Sequence, residues 1–399
     1  MKQIVLIQIF VLFTVFQSVA QKTDQLPYAF YSDYEAQVVS SYLGSEYIDI
    51  VPLFLAVDPE NNTEVEEKVQ KEIDRLVKRL CKRNLERKSP TKMIKRTYYA
   101  VHRRKLFNFK PNANFTDVFK KGEYNCVTAS ALVAYVFQEI GIDYSIRLAP
   151  GHVFVIAESG DSRVYLETTD PINGFIKDNK FLENKLKRYV PDVVWGAVSG
   201  TTNTENGEES SDSFFLNAEE ITLQELAGIQ FYNGGVTALE EKDFQLAFHY
   251  FRVANDIYAN EQSTLAMRIA LMNLLYHNDF SKPTDLDYLE FLAANSASDN
   301  DRSIVLRSFQ KISENHLFSN HNADTYREAY FKLYTATSDK ALKSLLQGFY
   351  LYDLGRYTLE YDSAEKAIRL LEKAAVMLPG IDEIEQTLSA AYLLNKNFD

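Results

Sequence analysis

The run Val127–Ile140, VTASALVAYVFQEI, is apolar on nearly every side and stops at Gly141. A helix of that composition has no face to offer water, so it must be enclosed by other elements in a core. Gly141 suits its end, because the residue just past a helix often takes a left-handed conformation. Cys126, one of only two cysteines, stands directly before the run and after the turn-like Gly122-Glu123-Tyr124-Asn125. Two strand-like stretches follow, Tyr144–Ala149 and His152–Ala157, parted by Pro150-Gly151. The polar turn Glu158–Ser162 then leads to a third, Arg163–Thr168. One buried helix followed by an antiparallel meander predicts an α+β domain.

Upstream, Tyr28–Tyr47 is aromatic-rich and helical in pattern. Thr63 and Glu66 have the spacing of a capping box, and Val65, Val69, Ile73, Leu76 and Leu80 recur at helical intervals behind them. Cys81 falls at the flank of that face beside Val77, where a packed thiol is the expected role. Ser89-Pro90 opens a second helix with proline in the first turn and with Ile94, Tyr98 and Val101 as apolar positions.

Downstream, Ser199–Ser213 contains no hydrophobic side chain, so it is expected as a loop or linker. From residue 214 to the end the pattern is almost wholly helical. Gly235, Phe244, Ala247, Phe251 and Ala254 fall where small and aromatic residues let paired helices approach. Ala367, Leu371, Ala374 and Pro379 match the second half of such a unit, and Leu388, Ala391, Tyr392 and Phe398 the first half of another. Phe280 takes an aromatic position in the looser segment between. This region resembles a degenerate tetratricopeptide array, which implies an extended surface for a protein partner.

The first residues combine a basic Lys2, an apolar stretch Ile4–Phe16 and the small-residue site Ser18-Val19-Ala20. That is the pattern of a cleaved signal peptide over residues 1–20, with an exported, periplasmic or extracellular product and no membrane span afterwards. An exported chain stapled by disulfides would carry more cysteines. Cys81 and Cys126 could pair, but a chain of 399 residues needs no bridge to bury a core. The formal net charge is −12, yet between Lys68 and Lys110 sixteen Lys and Arg face three acids. Without a nucleic-acid motif, that block reads as solvated helix faces and no nucleic-acid partner is expected. Glycine-rich phosphate loops, His-Glu-x-x-His and Cys-x-x-Cys are all absent, so neither cofactor nor metal is expected.

A catalytic cysteine needs a position that favours the thiolate, a base, and a group that orients the base. The unsatisfied N–H groups of a helix start favour a thiolate and can hold an oxyanion, which suits Cys126. Of the six histidines only His102 and His152 lie in the same half of the chain. His102, beside Arg103 and Arg104, reads as part of a solvated face, whereas His152 opens a strand whose parity it shares with Phe154 and Ile156. Glu167 and Asp170 follow on the next strand and are both placed to reach back toward His152 Nδ1.

Asn125-Cys126 entering a buried helix, then Gly151-His152-Val153-Phe154-Val155, then Glu167-Thr168-Thr169-Asp170-Pro171, resembles the transglutaminase-like superfamily. The resemblance implies a papain-like transglutaminase-fold domain over residues 28–198, a linker over 199–213 and the tetratricopeptide-like all-α domain over 214–399. It further implies Cys126 as nucleophile, His152 as general base and acid, and a carboxylate holding the imidazole. The family commonly shows His-Ala-Trp and Trp…Asp-Pro-Thr where this chain has His-Val-Phe and Tyr…Glu-Thr-Thr-Asp-Pro. Asp170 keeps the Asp-Pro pair and ranks slightly ahead, while Glu167 better keeps the spacing from His152. The implied chemistry is thiolate attack on a peptide or amide bond through an acyl-enzyme, ending in hydrolysis or acyl transfer. The competing expectation is a non-catalytic scaffold of the same folds in the cell envelope.

Overall fold

The computed structural model describes residues 28–44, 49–82, 89–149, 151–159, 162–177, 218–282 and 284–396. The expected signal segment 1–20, Pro150, the polar stretch 199–213 and Phe398 lie outside the described residues. The architecture is mixed: a five-stranded antiparallel sheet among helices in the N-terminal region, then an all-helical stretch of packed helices. The chain divides into two compact units, Ala29–Met267 and Arg268–Asp399.

In the first unit, helices α1 (Asp33–Gly44), α2 (Ile50–Leu55), α3 (Thr63–Cys81) and α4 (Pro90–Lys105) precede a two-stranded parallel pair, β1 (Asn108–Phe109) and β2 (Glu123–Tyr124). Helix α5 (Phe115–Lys120) lies between those strands, and α6 (Cys126–Ile140) follows β2 almost directly. Every residue of α6 from Val127 to Phe137 is buried, as its all-round apolarity requires. It ends at Gly141 with φ 70°, a left-handed conformation that glycine takes without a Cβ clash. Strands β3 (Tyr144–Ala149) and β4 (His152–Ser159) pack against α6 on one side, and α3, α4, α5 and α7 (Leu223–Glu240) enclose the rest. Strands β5 (Ser162–Leu166), β6 (Phe175–Ile176) and β7 (Glu219–Ile221) complete the sheet in the order β6-β5-β4-β3-β7.

Strand β7 is new relative to the helical pattern expected after residue 214. It pairs antiparallel with β3, Arg147 opposite Glu220, and the guanidinium of Arg147 meets the Glu220 carboxylate at 2.6 Å. Three residues, two of them acidic, carry too little alternation to read as a strand; the cross-strand charge pair defines it. The start of α3 also differs from expectation. Asn62, not Thr63, is the cap, its side chain accepting from Val65 N–H, while Glu66 instead accepts the Tyr34 hydroxyl. Val69, Ile73, Leu76 and Leu80 form the buried stripe of α3. Cys81 is exposed, because it is the last residue of α3 and lies past the end of that stripe. Both cysteines are free thiols.

Helices α7 and α8 (Phe244–Ile257) form a tight antiparallel pair in this same unit, with α7 against α2 and α6. Ala247, Phe251 and Ala254 are buried in that pair, and the Phe251 ring occupies the space a side chain at Gly235 would need. Helix α8 also holds the N-terminal segment. His249 Nε2 bonds Glu35 Oε1 at 2.7 Å with both side chains out of water, and Glu35 Oε2 accepts from Tyr31 N–H.

In the second unit, helices α10 (Asp285–Ala294), α11 (Asp299–Ile312), α12 (Ala323–Ala336), α13 (Lys340–Tyr361), α14 (Ala364–Met377) and α15 (Asp382–Lys396) pack in succession after α9 (Glu261–His277). A π-helical turn, Ser313–Ser319, follows α11. Ala367, Leu371, Ala374 and Ala391 are buried between α13, α14 and α15. Pro379 and Tyr392 are exposed. Among the described residues no helix is long and apolar enough to cross a membrane.

The buried Glu35–His249 bond yields a stability prediction. Removing one partner strands the other in the core, which typically costs roughly 3–5 kcal/mol. Glu35→Ala is expected to lower the urea unfolding free energy by about that amount, whereas Glu67→Ala, whose exposed pair with Lys71 contributes little, leaves it nearly unchanged.

Candidate active site

The Cys126 thiol sits, half-buried, on the first residue of α6. Its position is set by Asn125, which is buried and fully engaged. The Asn125 side chain donates to the carbonyls of Pro111 and Ala113 and accepts from Thr128 N–H, while Thr128 Oγ1 accepts from Asn125 N–H. With Thr128 N–H capped and Ala129 N–H bonded to the Asn125 carbonyl, the helix start leaves the N–H groups of Cys126 and Val127 without intrahelical acceptors.

His152 opens β4 and is 5% exposed. It hydrogen-bonds Cys126 on one side and Glu167 on the other. Its Nε2 lies 2.7 Å from Glu167 Oε2, so the carboxylate contact runs through Nε2 rather than the expected Nδ1. With Nε2 committed to the acid, Nδ1 is the nitrogen left for the thiol. Burial by itself works against a charged imidazole here. The bonds to Cys126 and Glu167 outweigh it and push the His152 pKa up to about 10. Burial likewise opposes the Glu167 charge, but His152, the Thr169 hydroxyl and the Thr169 N–H hold that carboxyl below its usual range.

The end of the β4–β5 ladder sets which acid meets His152. Val155 pairs with Leu166 at the end of that ladder, so Glu167, the next residue, leaves β5 beside the start of β4, where it bonds His152. Asp170, ranked ahead from the sequence, lies beyond the end of β5, where its Oδ1 accepts from the N–H groups of Ile172 and Asn173. It shapes the turn, as Asp-Pro pairs commonly do. The structure therefore brings together Cys126, His152 and Glu167, while the Asp170 carboxylate accepts from the N–H groups of its own turn.

Tyr98, fully buried on α4, had no part in the sequence reading of the site. Its hydroxyl donates to the carbonyls of Glu167 and Asp170 at 2.7 and 2.6 Å, fixing both ends of the turn that follows the acid. Gly174 closes that turn, and a Cβ there would lie 2.0 Å from the Tyr98 hydroxyl, so no larger residue fits. Ser130, one helical turn beyond Cys126, bonds Thr168 at 2.9 Å and ties α6 to the same turn. His102 is 3% exposed rather than solvated. It lies one turn after Tyr98 and next to Val101 on the inward face of α4, against the Tyr98 ring at 4.5 Å, and burial pushes its pKa down to about 4. Arg103 and Arg104 alone face water.

Cys126 and His152 open on a cleft of about 480 Å³. Leu148, Val153 and the sheet edge form one wall; Tyr232 and Asn233 of α7, Tyr258 and residues 260–263 form the other. Tyr258 hydrogen-bonds Glu219 across that rim. Among the described residues no three His, Cys, Asp or Glu side chains gather as a metal would require. The arrangement can pass a proton between thiol and imidazole and hold the imidazolium against a carboxylate.

Two outcomes are expected. Tyr98→Phe removes a donor shared by two carbonyls that keep the N–H groups of Asp170 and Gly174, and lowers stability by roughly 0.5–1.5 kcal/mol in denaturant titrations. The second concerns pH. The raised His152 pKa gives a stabilising contribution fully present below its ordinary value of 6.5 and lost as pH rises through about 10. The stability advantage of wild type over Glu167→Gln should therefore shrink between pH 6.5 and 10.

No protein-family model matches this chain, and neither any curated protein nor any solved structure matches it.

Proposed function

We propose that the first unit is a cysteine-dependent acyl enzyme of the transglutaminase-like, papain-fold kind, acting on peptide or amide bonds. The observation that carries this reading is the continuous chain Cys126–His152–Glu167 at the mouth of a cleft. Burial opposes a charged His152, but its contacts with Cys126 and Glu167 raise its pKa, and an imidazole so placed beside a sulfur is what a cysteine nucleophile uses as its base. The thiolate sulfur adds to the amide carbonyl carbon, and the free N–H groups of Cys126 and Val127 receive the developing oxyanion. His152 gives its proton to the departing amine nitrogen as the C–N bond breaks, leaving a thioester on Cys126. Water or a second amine then attacks the thioester, His152 takes the incoming proton, and Sγ leaves as thiolate. Glu167 keeps the imidazole oriented and its charge balanced throughout, without itself taking the proton.

The signal-like pattern of residues 1–20 supports an exported setting for this activity, periplasmic or extracellular. The helices after α9, with their tetratricopeptide-like spacing, supply a surface for a protein partner or for the substrate polypeptide.

Iodoacetamide labelling tests the reading, with Cys81 as an internal comparator. Exposure alone favours Cys81, since Cys126 is half-buried. An ordinary thiol loses labelling about tenfold per pH unit below about 8.5. Cys126 is expected to keep its labelling rate down to pH 6, to outpace Cys81 there by at least about tenfold, and to lose that lead in His152→Ala. Equally slow labelling of both cysteines at pH 6 would sink the enzyme in favour of a non-catalytic scaffold.

A further inference from the structure

A second cavity, of about 160 Å³, adjoins the cleft at the start of α6. Asn125 lines it while the next residue, Cys126, lines the main cleft, and Asn233 of α7 lines both. Helix α7 contributes Gln230, Asn233 and Thr237, spaced to share one helix face, beside the small residues Gly234 and Ala238. Gln230 is 1% exposed. Its Nε2 donates to Asn114 Oδ1 at 3.3 Å, but its Oε1 has no hydrogen-bond partner. A buried acceptor left empty is unfavourable, and a ligand that brings a donor removes that cost. Neither Lys nor Arg lines the cavity, and Glu241 is its one charged residue, so a carboxylate or phosphate is the wrong occupant. The missing counterpart is a hydrogen-bond donor, and an amide N–H supplies one without bringing a negative charge.

We propose that this cavity is a substrate subsite for a peptide-type secondary amide lying next to the bond that Cys126 attacks. The substrate N–H donates to Gln230 Oε1, and the amide of Asn233, at the junction of the two spaces, meets the neighbouring carbonyl. The enzyme is thereby directed to polypeptide chains rather than isolated amides. This rests on the acyl-enzyme reading of Cys126 and adds to it a specificity residue, Gln230, and a positioning contact, Asn233, both from a helix outside the sheet and its buried partner helix.

The probes are N-chloroacetyl-glycinamide, which carries amide N–H groups, and N-chloroacetyl-sarcosine dimethylamide, a close analogue with none. Each alkylates Cys126 by forming an Sγ–C bond as the C–Cl bond breaks and chloride leaves. Rates on the full-length protein are divided by those on N-acetylcysteine, which removes intrinsic reactivity. The N–H-bearing probe is expected to react at least about tenfold faster, the worth of one hydrogen bond to a buried acceptor. Gln230→Leu should abolish that preference; where the variant fails to give a cooperative thermal melt, the wild-type ratio carries the test. Equal corrected rates in wild type, with Cys126 labelling still dependent on His152, would overturn the subsite and leave the thiolate intact. Labelling of Cys126 by both probes no faster than N-acetylcysteine would bring down the acyl-enzyme reading and the subsite together.

Discussion

A carboxylate with 0% exposure is what the rest of the first unit has to accommodate. Glu167 is tolerated in a dry interior only because its charge is met on every side the chain can reach. His152 donates through Nε2, and Thr169 donates through its N–H and its hydroxyl. Tyr98 and Gly174 then hold the backbone of the turn so that these donors cannot drift away. The imidazole is oriented as a consequence, since a ring held through Nε2 presents its other nitrogen to the thiol. The Ser130–Thr168 bond and the burial of α6 fix where that thiol stands.

The same unit contains a second buried histidine–carboxylate bond, His249–Glu35, with the same 2.7 Å separation. It lines neither of the cavities described above; aromatic rings from Phe30, Tyr31 and Tyr250 surround it. Identical pairing chemistry therefore serves two ends. Against α8 it ties the N-terminal segment to the fold, whereas at the cleft it is coupled to a thiol. The surroundings, rather than the pair, separate a structural histidine from a candidate catalytic one. Helix α7, the loop after α8 and the start of α9 do more than support the sheet, because they line the cleft together with Cys126 and His152. In the proposed reaction, substrate choice belongs largely to those helices.

Much of the first unit was legible from local pattern. The unbroken apolarity of Val127–Ile140 required a buried helix, and strands β3 to β5 lie where their alternation and turns suggest. Cys126 and His152 stood out because a helix start and a strand start are each defined within a few residues. Other features were illegible for physical reasons. Strand β7 exists through its pairing with β3, and three residues alone carry no such signal. His102 was misplaced because Arg103 and Arg104 dominate the local charge, although its spacing from Tyr98 and Val101 put it on the inward face. The 98–102 spacing was the signal that could have corrected this.

The amino-acid sequence by itself determined the elements and their order: a capped helix beginning at the cysteine, a meander beginning at the histidine, and two acids close behind. These are short-range properties, set by periodicity, capping and turn chemistry within a dozen residues. Tertiary structure alone decided that Glu167 bonds His152. That contact depends on where the β4–β5 ladder ends and on where the chain turns away. It alone also brought Tyr98, Gln230 and Asn233 to the site, since contacts across seventy or a hundred residues are created by packing and leave no trace in local pattern.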